Sequence, residues 1–135
     1  MRILGIDYGD KHIGLALSDE MSITAQPLRS YTVKSKNEDI RFFKDLTSKY
    51  NITQIVMGLP LRMDGTEGSR VKKTKRFAAW LKQALNIPIV FWDERLTTKQ
   101  ASQIMRKQGL SHDKKKELVD QISAVLILSS YLDSL

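Results

Sequence analysis

No cysteine occurs in the chain, so disulfide staples and thiolate metal sites are excluded and a reducing compartment is the natural setting. No stretch approaches the roughly 18 apolar residues that a helix needs to cross a bilayer. Met1-Arg2-Ile3-Leu4 enters a strand-like run at once, without the pattern of a secretory leader, and a cytoplasmic protein with no membrane partner is expected. Repeats, linkers and low-complexity tracts are missing too. Glycines stand at 5, 9 and 14 but do not compose a dinucleotide fingerprint, which needs a helix after its glycine loop, whereas strand propensity resumes here at Ile13. His12 and His112 lack the spacing of metal ligands, and neither is given a role.

What the chain does have is an ordinary apolar share and a surplus of positive charge. With 135 residues and 41% hydrophobic content it can bury a core without staples, as a single domain over residues 1–135. Lys and Arg number 22 against 15 Asp and Glu, a formal charge of +7, and an excess of that kind usually serves a polyanion. Nucleic acid is the leading partner.

Arg2 to Asp7 reads as a buried strand, Gly9 to Lys11 as a tight turn, and Ile13 to Ser18 as a strand returning antiparallel to the first. Gln26-Pro27 looks like a turn, with a third strand around Arg29 to Val33 completing a meander. Ser35 and Glu38 form a capping box for a helix whose Ile40, Phe43, Leu46 and Tyr50 recur at helical spacing. Gln54 to Gly58 is a short apolar strand. Ser69 to Leu85 is a helix with Phe77, Ala78, Leu81 and Leu85 inward, and Ile87 to Trp92 is another apolar strand. Strand, helix and strand in that order predict a right-handed crossover with parallel strands buried on both faces. Thr97 or Thr98 can cap a helix to about Lys107, ended by Gly109, and a last helix runs from about Lys116 to Leu132. The expected architecture is α/β: a mixed five-stranded sheet, strands 1 to 3 an antiparallel meander and strands 4 and 5 parallel to strand 1, with helices packed on it.

Open sheets of this kind bind ligands at the carboxyl ends of their parallel strands, and Asp7, Pro60 and Asp93-Glu94 fall at that edge. Asp7 closes the apolar run Arg2-Ile3-Leu4-Gly5-Ile6. It either caps the Gly9 turn or meets a cation that offsets its desolvation. Asp93-Glu94-Arg95 ends the last strand with two carboxylates and a guanidinium, and alternation lets one carboxylate face inward. Asp120 sits in the last helix on the side of Ser123, Ala124 and Ile127, small enough next to it for that face to approach the sheet. Carboxylates converging on one edge suit Mg²⁺ or Mn²⁺, hard cations that take oxygen ligands and keep exchangeable waters. Two such ions roughly 4 Å apart activate water and stabilise the leaving oxygen in phosphodiester hydrolysis.

Gly5-Ile6-Asp7-Tyr8-Gly9-Asp10-Lys11-His12-Ile13-Gly14 resembles the opening motif of the YqgF family, also called Holliday-junction-resolvase-like. Gly58-Leu59-Pro60-Leu61-Arg62-Met63-Asp64-Gly65-Thr66, Asp93-Glu94-Arg95-Leu96-Thr97 and Asp120-Gln121-Ile122-Ser123-Ala124 resemble its later motifs, in order and across nearly the whole chain. The resemblance implies a ribonuclease H-like fold and, for bacterial members, a nuclease that matures the 5′ end of pre-16S ribosomal RNA. An older reading of the family is resolution of four-way DNA junctions. By position it makes Asp7, the pair Asp93-Glu94 and Asp120 the catalytic carboxylates, with Asp7, Glu94 and Asp120 preferred as metal ligands. Many ribonuclease H-like enzymes carry an acidic residue on the fourth strand. Here that strand ends in Gly58-Leu59-Pro60, so the second carboxylate must come from the fifth, as Asp93 or Glu94.

Arg70, Lys72, Lys73, Lys75 and Arg76 crowd the start of one helix, and Arg106, Lys107, Lys114, Lys115 and Lys116 flank the loop before the last. Lys11, Arg62, Arg70, Lys72, Lys73, Arg95, Lys114 and Lys115 are the expected nucleic-acid contacts, through phosphates rather than bases. Residues 59–68 form a candidate substrate loop, and Tyr8 is placed either to stack on a base or to pack in the core. Two other classes compete with the nuclease: a non-catalytic RNA-binding factor of ribosome assembly, and a phosphotransferase of the actin and sugar-kinase type. The latter closes two such domains over its nucleotide. Structured RNA or branched DNA, bound by a monomer or homodimer, completes the expectation.

Overall fold

The computed structural model describes residues 1–95 and 112–135, with the side chains at 112–118 and 120 left outside the description. β1 (Arg2–Asp7) and β2 (His12–Ser18) form the expected hairpin, with Leu4 opposite Leu17 and Asp7 opposite Gly14. Both strands are apolar nearly throughout because both of their faces are covered. β3 (Ala25–Thr32) departs from expectation, since Gln26 and Pro27 lie inside the strand, opposite Leu17 and Ala16. β3 is an edge strand, where a proline's missing N–H breaks no inner ladder. The turn falls earlier. The Asp19 carboxylate accepts the backbone N–H groups of Met21, Ile23 and Thr24 at 3.2, 2.7 and 2.8 Å, and these bonds hold its pKa below the usual carboxylate range.

α1 (Lys36–Lys49) starts at Ser35, whose hydroxyl accepts the Glu38 N–H at 3.2 Å, as the capping box predicts. β4 (Ile52–Leu59) follows, then α2 (Ser69–Leu85), which ends at Asn86 in a left-handed conformation, and β5 (Ile89–Asp93). The strand order is β3-β2-β1-β4-β5, with β4 parallel to β1 and β5 parallel to β4. Successive residues of a strand point to opposite faces, and the core divides accordingly. Leu4, Ile6, Ile55 and Met57 pack with Phe43 of α1 and with Ala78 and Leu81 of α2. Ile3, Ala16 and Val56 pack on the other face with α3 (His112–Asp133), through Ala124, Ile127, Leu128 and Leu132.

α3 runs against the direction of the parallel strands. Its Tyr131 hydroxyl receives the Gln54 amide N–H at 2.8 Å near the start of β4, while Ile127 lies against Gly58 near the end. Moving toward the beginning of α3 therefore leads toward the carboxyl edge of the sheet. The helix expected between Thr97 or Thr98 and Lys107, with Gly109 after it, lies outside the described residues, as do Arg106 and Lys107. None of the described helices is long and apolar enough to cross a membrane.

Candidate active site

Asp7 ends β1 and is half-buried. It shares a face with Ile3 and Gly5, which is the face that α3 covers. Gly5 makes that closeness possible. A Cβ there would stand 2.8 Å from the Leu128 Cβ and 3.2 Å from the Ala124 carbonyl oxygen, so any larger residue would push α3 off β1.

β5 delivers two acidic residues to the same edge and sends them different ways. Leu59 of β4 pairs with Asp93, and the Glu94 N–H continues the ladder by donating to the Leu59 carbonyl at 3.3 Å. Asp93 is turned outward, where the Arg95 guanidinium grips it through Nε at 2.8 Å and a terminal nitrogen at 2.6 Å. That bidentate hold keeps the Asp93 carboxyl below its ordinary pKa. Glu94 turns inward and is 7% exposed. Its carboxylate lies over Gly58, where a Cβ would come within 2.2 Å of Oε2. The geometry thus separates the two candidates that the sequence left side by side.

Burial pushes the Glu94 carboxyl up, the Asp93 charge adds to this, and the Arg70 guanidinium and a hydrogen bond with the Asp7 carboxyl pull the other way. The buried Glu94 carboxyl, with Asp7 and Asp93 beside it, resists ionisation unless a cation joins it. The donor set of Asp7 and Glu94 is all oxygen and adjoins Arg70 of α2, which fits a hard divalent cation and the phosphate it would bring. Among the described residues no three of His, Cys, Asp and Glu assemble as a cluster. Asp7 and Glu94 are two of the expected ligands. The third, Asp120, belongs to α3 one turn before Ala124, on the edge-ward half of the helix; its side chain is outside the description.

Residues 59–68 do not form an open strap. Gly65 N–H donates to the Arg62 carbonyl at 2.7 Å and Arg62 N–H to the Thr66 carbonyl at 3.0 Å, closing a turn in which Gly65 takes φ 85°. The Asp64 carboxylate accepts the Thr66 N–H and hydroxyl at 2.9 and 2.6 Å, and an Arg95 terminal N–H donates to the Met63 carbonyl at 3.4 Å. Arg95 is therefore a brace between β5 and this turn. The Arg62 guanidinium lies over Gly68, 2.9 Å from where a Cβ would stand, at the start of α2. Arg62, Arg70, Lys72 and Lys73 are exposed around that helix end; Lys11 is exposed in the β1–β2 turn. Lys73 meets Asp10 at 3.5 Å. The side chains of Lys114, Lys115 and Lys116 are outside the description. Sequence reasoning missed Gly5 and Gly58 as seats for α3 and Glu94. The signal available was a glycine inside a strand, which marks close approach.

A family-wide profile described as "RuvX: Holliday junction resolvase" matches residues 1–134. The chain is 48% identical over 135 residues to a Syntrophus aciditrophicus (strain SB) protein named "Putative pre-16S rRNA nuclease", covering 100% of this chain and 90% of that one. A Clostridium acetobutylicum protein of the same name is 47% identical over 135 residues, with 100% of both chains covered. Among solved structures it resembles T. thermophilus RuvC in complex with a Holliday junction substrate, at a TM-score of 0.59 and 14% identity, covering 99% of this chain and 96% of that one. It also resembles the Fowlpox virus resolvase in complex with Holliday junction DNA, at a TM-score of 0.61 and 17% identity, covering 99% and 98%. At such low identity the likeness concerns the fold, the ribonuclease H-like sheet of resolvases.

Proposed function

The chain belongs to the RuvX family of phosphodiester-cleaving nucleases, and from that premise we propose that it is a divalent-metal-dependent endonuclease acting at the 5′ end of pre-16S ribosomal RNA. The observation that carries the reading is the pairing of Asp7 with a buried, inward-turned Glu94 at the carboxyl edge of the sheet. Asp7 and Glu94 would hold the metal, with Asp120 as third ligand. A bound Mg²⁺ or Mn²⁺ supplies Lewis acidity and a nucleophilic water. Arg70 offsets the negative charge of Glu94 and would meet the scissile phosphate. Arg95 acts through others: it holds Asp93 away from the site and braces the Arg62–Thr66 turn. Arg62, Lys72, Lys73 and Lys11 supply phosphate contacts that position the strand without reading sequence. The names carried by relatives at 47 and 48% identity support the ribosomal substrate.

The family description favours a second reading, cleavage of four-way DNA junctions, for which a homodimer would suit the symmetric substrate and a monomer an RNA end. Both substrates present phosphodiesters to the same carboxylates. Side-by-side cleavage of precursor 16S RNA and a synthetic junction, with Mg²⁺ or Mn²⁺, decides between them. The expected result is cleavage of the RNA, lost in Asp7→Asn. An Asp7→Asn protein that cuts at the wild-type rate sinks the assignment, and binding of RNA without cutting under either ion would leave an assembly factor.

A further inference from the structure

Asp7 and Tyr8 are consecutive in the chain but turn to opposite sides at the end of β1. Asp7 belongs to the face that α3 covers, whereas Tyr8 packs against the α1 and α2 side, its ring stacked on Phe77 at 4.4 Å between centroids. Phe77 in turn lies 5.7 Å from Trp80, so an aromatic shelf continues along α2 for about one turn. Over this shelf opens a cavity of about 460 Å³. Its rim carries Lys34, Lys36, Lys73 and Arg76, all exposed, against the single lining carboxylate of Asp39.

The rim is built rather than incidental. Asp39 accepts the Tyr31 hydroxyl at 2.6 Å and the Lys34 backbone N–H at 3.0 Å, and so fixes the chain between β3 and α1 where Lys34 stands. The pair between Lys73 and Asp10 is exposed on both sides, a contact that an arriving phosphate displaces at little cost. Aromatic faces below and cations above are the complement of a nucleotide: every base has a face to stack, and every phosphate a charge to neutralise. The volume lies within the range of small-ligand clefts.

We propose that this cavity is a second nucleotide site, which takes an unpaired nucleotide of the same strand whose phosphodiester reaches Asp7 and Glu94. Its base stacks on the Tyr8, Phe77 and Trp80 shelf, and its phosphates meet Lys34, Lys36, Lys73 and Arg76. The strand crosses the sheet edge at the Asp7–Tyr8 bond, so cleavage and base capture are one residue apart in the protein. A duplex keeps its bases stacked on one another and cannot enter. Continuity with the cleavage site rests on the nuclease reading above, but binding itself requires no metal and no cleavage.

Trp80 gives a direct readout. The other tryptophan, Trp92, lies on the α3 face with its indole N–H donated to the Ser130 hydroxyl at 2.9 Å, so Trp92→Phe leaves Trp80 as the sole tryptophan, excited at a wavelength that tyrosine does not absorb. A short single-stranded RNA titrated into this variant in EDTA is expected to quench Trp80 saturably; the matching duplex and 5′-AMP leave it unquenched over the same range. Lys36→Glu with Arg76→Glu should raise the midpoint about tenfold or more, while Lys82→Glu, the same charge change at the far end of α2, leaves it within about twofold. Quenching that ignores Lys36→Glu with Arg76→Glu, that Lys82→Glu abolishes equally, or that AMP reproduces overturns the proposal. In the unmodified chain, RNA carrying 5-iodouridine should crosslink to Tyr8 or Trp80 on irradiation; crosslinks only outside the cavity also overturn it. Failure of the nuclease reading looks different: quenching stands and no substrate is cut.

Discussion

The two faces of the sheet are packed to different ends. Toward α1 and α2 the strands present Leu4, Ile6, Ile13, Leu15, Ile55 and Met57, large side chains that interdigitate with Phe43 and Leu81. Toward α3 they present Gly5, Ala16 and Gly58 beside Ile3 and Val56, and the helix sets Ser123 and Ala124 near the edge ahead of Ile127, Leu128 and Leu132. The first face gains stability from apolar area. The second gives up some of that area for proximity: small residues let α3 and Glu94 settle close to the backbone, and the carboxylates are held by what is missing beside them. Substitutions on the two faces should therefore fail differently, one in activity and the other in stability.

The largest contrast should come from the two acidic neighbours on the α3 side. Glu94→Gln is expected to lower the cleavage rate at least about 100-fold, and Asp93→Asn by less than about tenfold, in single-turnover assays at saturating Mg²⁺. Equal losses would show that the inward and outward carboxylates do not divide the work. Next comes Gly58→Ala, whose methyl would meet Glu94 Oε2 and the Ile127 Cδ1 at 2.2 and 2.5 Å. Cleavage should fall about tenfold or more through displacement of Glu94, with overpacking costing about 1–3 kcal/mol in denaturant unfolding. Wild-type cleavage in this variant would separate Gly58 from the site.

On the opposite face, Leu81→Ala empties a fully buried position and should cost about 2–5 kcal/mol in the same unfolding measurement. Cleavage per folded molecule should stay near wild type; a drop comparable to that of Glu94→Gln would mean that the faces are not independent. The smallest effect is expected from Tyr31→Phe. Burial, and after it the hydrogen bond donated to Asp39, push the Tyr31 phenol up to about 12. Because the folded value lies above the ordinary phenol value of about 10, the stability that this group contributes is full below pH 10 and lost as pH rises through about 12. Tyr31→Phe should lose about 1 kcal/mol at neutral pH and show a shallower decline between about pH 10 and 12 in thermal melts. A decline as steep as that of the wild type would place the alkaline sensitivity elsewhere.

Much of the frame was legible because local signals agreed with one another. The Ser35–Glu38 box, the stripe of α2 and the apolar β1–β2 hairpin each carry a pattern set by one element. Pro27 misled because a proline reads as a turn unless the strand is known to be an edge, which is a property of the assembled sheet. Ile87 reads as strand yet precedes β5, since Asn86 closes α2 in a left-handed cap and the bonding to β4 begins only at the Pro88 carbonyl, which accepts the Ile55 N–H at 3.0 Å. At the site, the convergence of Asp7 with the Asp93-Glu94 pair followed from strand direction. The choice within the pair did not, because it depends on Arg95 two residues later gripping Asp93. The cavity beside Tyr8 was hidden because its walls come from separate segments: Tyr8, Lys73, Arg76 and Phe77 carry their own local signals, but nothing local joins them to Lys34 and Lys36.

The order of elements gives the α3 face a particular history during synthesis. Both helices of the opposite face lie between the strands they cover, so that side can close as soon as β5 has emerged. Among the described elements it is α3 that covers the face bearing Asp7 and Glu94, and its cluster is complete only once Leu132 has emerged. Until then a growing chain carries Asp7 and Glu94 in water, without the helix that packs beside them.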